Sequence, residues 1–360
     1  MTTRLILSAV IAATFAAATP HADACTLPTT NVTVKKFWPT TADPAQPNGA
    51  DVNRCDGSSC ALRGYLFTPP AGGTNLPAIV YVHGSVDNNV HGTQSSCEMV
   101  NYFLDAGYVV FLPWTRGVTD TTSWTTPPAG AGFTNTGVYI SDFTSGQTCT
   151  AADRTKLQNT FGIDLTNEDP GDPNNVNKSC STLHTASYME AEAFDAGFAM
   201  KYLASLSNFG GTGKLVGKIA LAGHSFGGAT VTLGARFPGL ARLPDAILDL
   251  SGGVLSWGSG TKVWSKLLST AVANRVAPMH LSQTYNESPT LTTDSTVVPF
   301  LAGGAGPDLT MKLYSDANNT SGCDAGDTAA HCAHVNFLTE HDEVARWAPA
   351  VVAFLERQGF

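Results

Sequence analysis

The sequence predicts an α/β fold with one mostly parallel central sheet and helices on both faces. Three observations carry that expectation. Two continuous apolar runs, AIVYVHG (78–84) and YVVFLPW (108–114), have the character of strands buried on both sides. A third run, KIALAGHS (218–225), passes through a Gly-rich turn straight into a helical segment. Stretches of helical period separate the runs, so strands and helices alternate. Alternation implies right-handed crossovers and a parallel sheet.

Residues 25–60 are rich in Thr and Pro, with one strand expected at VTVKKF (32–37). LRGYLFTPP (62–70) reads as a strand ended by two prolines. A helix through MVNYFLDAG (99–107) closes at Gly107, a residue suited to a left-handed cap. Residues 115–183 hold much Thr, Asn, Gly, Pro and Asp and little periodicity, and are expected to form a long irregular insertion over the surface. Helical period returns at 187–206, where Tyr188, Ala191, Phe194, Phe198, Tyr202 and Leu206 share a stripe. Beyond KIALAGHS come a helix through Ala229–Arg236, a strand at 246–253, a helix near 262–274 and a strand at 278–285. A Cys-bounded loop carrying His334 and a last helix at 343–358 finish the chain. No repeat or linker-like break divides residues 25–360, so a single domain is expected.

The chain has 360 residues, 43% hydrophobic and 14% charged, which suits a large core and excludes wholesale disorder. Arg4, the apolar stretch LILSAVIAATFAAA and Ala22-Asp23-Ala24 have the form of a signal peptide over 1–24. The apolar stretch is shorter than the roughly 20 residues a membrane span needs. Cys25 follows the cleavage site as in a lipoprotein, but Asp23 and the lack of Leu three residues before it argue against that processing. A secreted or periplasmic location, without membrane insertion, is expected. The net charge is −9, and removing Arg4 and Asp23 leaves it there, which disfavours nucleic acid and anionic membranes as partners.

All eight cysteines lie after the cleavage site, and an even count in an oxidising compartment suggests four disulfides. Pairing of sequence neighbours favours Cys55–Cys60, Cys323–Cys332 and Cys149–Cys180, leaving Cys25–Cys97. A zinc site is the rival reading, but there is no C-x-x-C pair, and His331 beside Cys332 is the one suggestive neighbour. NEDPGDPNN (167–175) has oxygen ligands of the kind calcium takes, without a recognised spacing. No metal and no cofactor is expected, and the chain is expected to be a monomer.

One motif carries chemistry. Gly223-His224-Ser225-Phe226-Gly227 is a G-x-S-x-G between a buried strand and a helix. The turn that exposes such a serine is tight, so it requires small residues two positions to either side. A nucleophilic serine also needs amides aimed at the oxyanion. Phe226, at the start of the following helix, offers one. His83-Gly84-Ser85, at the carboxyl end of AIVYV, offers the second through Ser85, with Gly84 allowing the bend and His83 bracing the loop. Trp114, Trp124 and Trp257 follow strand ends and could line a cleft or pack in the core.

Over residues 60–360, apart from 115–183, the succession PAIVYVHGS, AGYVVFLPWTRG, GHSFGG and a late His before W-x-x-x-V-x-x-FL resembles the dienelactone hydrolase branch of the α/β-hydrolases. The chain departs from the dienelactone hydrolases proper in having Ser at the nucleophile, like the secreted serine esterases related to them. The resemblance implies the α/β-hydrolase fold and the order nucleophile, acid, base. The base is sought among His280, His331, His334 and His341. His280 lies within a strand and His341 just before the last helix, whereas His331 and His334 share the loop where the family places its base. His334, with Phe337 three residues on, matches the family's pattern best. Glu287 aligns with the family's Asp, with Asp294 as rival and Asp249 as an outside candidate.

These residues imply hydrolysis of a small-molecule or polymer-borne carboxylic ester through an acyl-enzyme on Ser225. Two other readings stay open. One is a serine peptidase of the oligopeptidase-like branch, disfavoured because no β-propeller stands upstream. The other is a hydrolase-fold binding protein without activity.

Overall fold

The computed structural model describes residues 25–37, 62–84, 96–120, 124, 126–135, 149–208, 212–252, 261–284, 308–314 and 329–360. Eight strands form one sheet: β1 (Val32–Phe37), β2 (Leu62–Phe67), β3 (Leu76–Val82), β4 (Val109–Trp114), β5 (Val216–His224), β6 (Ala246–Leu250), β7 (Met279–Thr284) and β8 (Leu309–Tyr314). Their spatial order is β1-β2-β4-β3-β5-β6-β7-β8. The pairs β1–β2 and β2–β4 are antiparallel and all others parallel.

The helices are α1 (Cys97–Asp105), α2 (Ala151–Lys156), α3 (Val176–Ser205), α4 (Phe226–Gly234), α5 (Lys262–Ala273), α6 (Ala329–Thr339) and α7 (His341–Arg357). A wider π-helical turn, Leu157–Phe161, continues α2. Side chains alternate across each central strand, so each contributes to two cores. Ile79, Tyr81, Val110, Ala222 and Leu248 pack on one face with Phe103 of α1 and Trp347, Val351 and Phe354 of α7. Val80, Val82, Phe111, Leu221 and Ile247 pack on the other with Phe194 and Met200 of α3, Val231 of α4 and Val272 of α5. A continuous apolar strand is what two-sided burial demands, which is why β3, β4 and β5 stand out in the sequence.

Three features depart from the sequence reading. The stretch 115–183 is more regular than expected among its described residues. Thr150 caps α2 through a reciprocal bond with Asp153, and α3 begins at Val176, eleven residues before its apolar stripe becomes evident. Asn175 caps it by accepting from the Lys178 amide at 2.8 Å. Its first turns, VNKSCSTLHTAS, use poor helix formers, and burial of Ser179, Thr182 and Thr185 outweighs propensity there. Second, Leu309–Tyr314 adds an edge strand that its mixed sequence LTMKLY hardly announces. Third, His334 lies on a helix, α6, rather than in a loop. The Trp347 indole donates to the Phe337 carbonyl at 2.6 Å and the two rings stack, holding α6 against α7.

Of the expected disulfides, Cys25–Cys97 and Cys149–Cys180 are present. Cys55, Cys60, Cys323 and Cys332 lie outside the described residues. The bridge at Cys149–Cys180 ties the segment before α2 to the first turns of α3. There, Leu157, Phe161, Val176 and Leu183 form a third core with Phe226 of α4 and Trp264 of α5. Among the described residues no helix is long and apolar enough to cross a membrane.

The segment after β4 is fastened by a buried ion pair. The Arg116 guanidinium meets Asp195 of α3 through Nε at 2.9 Å and through a terminal nitrogen at 2.5 Å, and the Arg116 amide adds a bond at 3.1 Å. Both side chains are essentially inaccessible. Arg116→Met strands the Asp195 carboxylate in the core and should cost about 3–5 kcal/mol of stability in urea unfolding. Adding Asp195→Leu should restore most of that loss; no recovery would show that the fully paired geometry itself is required.

Candidate active site

The carboxyl ends of β3, β4, β5 and β6 lie along one edge of the sheet. The chain leaves β3 toward β4 on one side, while β5 adds on the other, so the crevice between β3 and β5 is a topological switch point, where open α/β sheets place their sites. Ser225 stands there between β5 and α4, half-buried, with φ 56° and ψ −122°. That conformation is costly for a residue with a Cβ and persists only where packing enforces it.

The enforcing contacts are backbone to backbone. A Cβ on Gly223 would lie 2.2 Å from the Gly227 carbonyl oxygen. One on Gly227 would lie 2.2 Å from the Val82 carbonyl oxygen and 2.4 Å from that of His83. One on Gly84 would sit 3.3 Å from the Ser225 Cβ, so the residue after His83 lies directly against the serine. Phe226 opens α4 with its ring 6.0 Å from Tyr188, placing its amide at the positive end of the helix. Together, the serine at a positive-φ turn between a central parallel strand and its helix, and the strand order, make this the α/β-hydrolase fold.

His334 reaches the same region from α6. Its ring stacks on that of His224, the neighbour of Ser225, at 4.6 Å and 28°. The His224 Nε2 donates to the His334 carbonyl at 3.0 Å. His280, by contrast, is spent within the sheet, with Nδ1 at 2.8 Å from Thr310 Oγ1 and Nε2 at 2.9 Å from Ser282 Oγ. Burial and the nearby Arg357 and Lys312 push it down to about 4. His341 pairs with Glu98 on the surface at 3.0 Å, which raises its pKa. The side chain of His331 lies outside the described residues.

His83 has the environment of a brace. Its Nδ1 donates to the Gly84 carbonyl at 2.8 Å, its ring stacks on Trp114 at 4.8 Å, and its Nε2 lies 3.2 Å from Thr115 Oγ1. Desolvation pushes it down to about 4, so the ring is neutral. Ser85, Glu287 and Asp294 lie outside the described residues, as does Trp257. Asp249 is buried at the end of β6, where its oxygens accept from Thr232 Oγ1 at 2.5 Å and from the Gly252 amide at 2.8 Å. Those bonds direct it to α4 and to its own strand end. Trp124 packs on Tyr65 at 5.1 Å, within an aromatic group that also takes in Phe133.

Among the described residues one trio has metal-ligand spacing, Cys149, Asp153 and Cys180. Its two sulfurs are bonded to each other, which removes the thiolates a metal would need. In 167–175 the carboxylates of Asp169 and Asp172 accept from the Gly171 and Asn174 amides, as turn caps do.

Sequence reading passed over Thr115, Glu192 and Asp195. A signal existed, because Tyr188, Glu192 and Asp195 recur at i, i+4 and i+7 and so share one face of α3.

No family model matches the chain, and no curated protein matches it. Solved structures similar to it include Est1E from Butyrivibrio proteoclasticus with ferulic acid bound, at 13% identity over 82% of this chain and 97% of that one, TM-score 0.42. An esterase from Pyrococcus furiosus is similar at 11% identity over 91% of each chain, TM-score 0.46. An acetyl xylan esterase from Paenibacillus sp. R4 is similar at 14% identity over 80% of this chain and 79% of that one, TM-score 0.43.

Because Gly227 faces two backbone oxygens, Gly227→Ala must part β3 from the elbow. It should slow the reaction of Ser225 with a fluorophosphonate about 100-fold, the scale set by an ångström of misplacement. Labelling at the native rate would show that the tight turn is not what presents the serine.

Proposed function

We propose that this chain is an exported serine hydrolase that cleaves carboxylic esters through an acyl-enzyme on Ser225. One observation carries the reading: Ser225 is held at positive φ at the switch point, with Gly84 against it and His334 stacked on the residue beside it. A serine in a strained, partly exposed turn at a sheet's carboxyl edge has no packing role that would repay the strain.

In the reaction His334 takes the Ser225 hydroxyl proton as the oxygen attacks the ester carbonyl carbon. The carbonyl oxygen becomes an oxyanion, held by the amides of Phe226 and Ser85. Collapse breaks the carbon–oxygen bond to the alcohol, which leaves with the proton from His334. Water then attacks the acyl group, giving its proton to His334, and the second collapse returns that proton to Ser225 and frees the carboxylic acid. Glu287 is proposed to orient the imidazole of His334 and to stabilise its charged form. No step calls for a metal or cofactor. The two bridges among the described residues support an oxidising compartment, in keeping with removal of residues 1–24 on export.

The test combines a probe with substrates. A fluorophosphonate should label Ser225 and leave Ser225→Ala unlabelled; label surviving in that variant ends the serine reading. Turnover of p-nitrophenyl esters should exceed that of peptide anilides, and the reverse result selects a peptidase. Glu287→Ala should lower kcat by on the order of 10⁴, as loss of a triad acid does, with Asp294→Ala near wild type. The opposite pattern moves the acid to Asp294.

A further inference from the structure

Helix α3 carries a carboxyl group that this reaction does not use. Glu192 is buried between α3, the segment after β4, and α4. Its Oε1 stands 2.5 Å from Thr115 Oγ1 and its Oε2 3.4 Å from Thr230 Oγ1, with the Tyr188 hydroxyl beside it. The same Thr115 hydroxyl lies 3.2 Å from His83 Nε2. One hydroxyl therefore stands between a carboxyl group and an imidazole.

The directions of these bonds follow from what each atom can do. A carbonyl oxygen only accepts, so the contact to Gly84 places the hydrogen of His83 on Nδ1. The ring is neutral, which leaves Nε2 with a lone pair that needs a donor. The Thr115 hydroxyl is the near donor, since the Thr115 amide is 3.5 Å away. That hydroxyl has a single proton. When it goes to His83, the contact to Glu192 is satisfied only if the carboxyl group brings its own hydrogen. Burial supports a neutral acid: it pushes Glu192 up to about 8, opposed by the Thr115 hydrogen bond and helped by the charge of Asp195.

The relay ends beside the nucleophile. A planar trans peptide holds its N–H antiparallel to its C=O, so a donor that fixes the Gly84 carbonyl fixes the whole peptide unit that begins there. In the mechanism above, the N–H of that unit is an oxyanion donor.

We propose that Glu192 is a positioning residue for this peptide, acting as a neutral acid at the head of a relay through Thr115 and His83 to the Gly84 carbonyl. The effect on rate rests on the serine-hydrolase reading, whereas the effect on His83 does not. The titratable and charged groups that face Glu192 are Tyr188 and Asp195 on its own helix, Arg116 after β4, where it is committed to Asp195, and His83 at the end of β3; Thr230 of α4 adds no charge. Glu192 has a raised pKa and His83 a lowered one, so the relay is complete between about pH 4 and 8 and is lost as pH rises through about 8. Once ionised, the carboxylate draws the Thr115 proton, and Nε2 of His83 is left with the longer bond from the Thr115 amide at 3.5 Å.

The test compares wild type with Glu192→Gln, Glu192→Ala, Thr115→Val and Thr115→Ser, each checked for its melting temperature. A carboxamide donates at every pH, so Glu192→Gln should hold kcat within about 3-fold at pH 7 and abolish the fall in kcat near pH 8. Glu192→Ala and Thr115→Val should lower kcat about 10- to 100-fold with KM little changed, and Thr115→Ser should recover it. An alkaline fall unchanged in Glu192→Gln, or Thr115→Val at wild-type kcat, overturns the proposal. Independently of turnover, the ring ¹⁵N signals of His83 should shift near pH 8 in wild type and not in Glu192→Gln. That shift without ester turnover keeps the relay and sinks the hydrolase reading. Turnover without the shift overturns the relay alone.

Discussion

The packing of the β3 end against the turn after β5 is the constraint on which the site depends. At Gly227 the backbone carbonyls of Val82 and His83 occupy the space a side chain would need. This contact brings two strand ends, Ser225 and the first turn of α4 to one point. It is steric rather than attractive, so its energy comes from elsewhere: from the two cores that hold β3 and β5 side by side and press α4 down from above. The strain at Ser225 is thus supported by apolar burial on both faces of the sheet, far more than by any bond the serine itself makes. The turn after β6 follows the same logic. Ser251 also has positive φ, and a Cβ on Gly228 would meet the Gly252 Cα at 2.6 Å. Neighbouring strand ends interlock through missing side chains.

Behind this interlock lies a polar layer unusual for a helix buried on nearly every side. Asp195 and Glu192 stand one turn apart on α3, both buried, and they meet different partners. Asp195 meets the guanidinium fork of Arg116. Glu192 has hydroxyl neighbours and the charge of Asp195, so burial favours its neutral form. Two carboxyl groups with such different partners can do two things at once: one fastens the segment after β4, the other supplies a hydrogen. The geometry explains why a helix of apolar period carries three acidic residues between positions 190 and 195. Glu190, the third, pairs with Arg236 beyond the end of α4. All three link α3 to segments that follow central strands.

Legibility in the sequence tracked the strength of local signals. The central strands were readable because two-sided burial writes an unbroken apolar run, and the elbow because only glycine fits around the serine. The last strand, LTMKLY, was not readable: an edge strand with a partly exposed face shows neither a run nor a clean alternation. The start of α3 was hidden because Ser and Thr there are buried by tertiary packing that propensity does not anticipate. His334 was legible as a candidate through its position late in the chain, but not as helical, since AAHCAHVNFLT is weakly amphipathic and is held by Trp347 from the next helix. Thr115 was illegible as a participant, because its part depends on Glu192, 77 residues away. The stripe of Tyr188, Glu192 and Asp195 was present, yet apolar residues on the same helix drew the reading first.

The stretch before α3 also bears on the site. Its described portion turns inward: Leu157, Phe161 and Val176 share a core with Phe226, the residue that follows Ser225, and with Trp264. The Cys149–Cys180 bridge and the Asn175 cap stiffen the same region. The ring of Phe226 thus faces the core built by residues 157–189 with α5, while its amide opens the helix behind Ser225. Here the coupling runs through a buried aromatic ring, so the described part of this stretch bears on the turn at Ser225 as packing rather than as a loose cover.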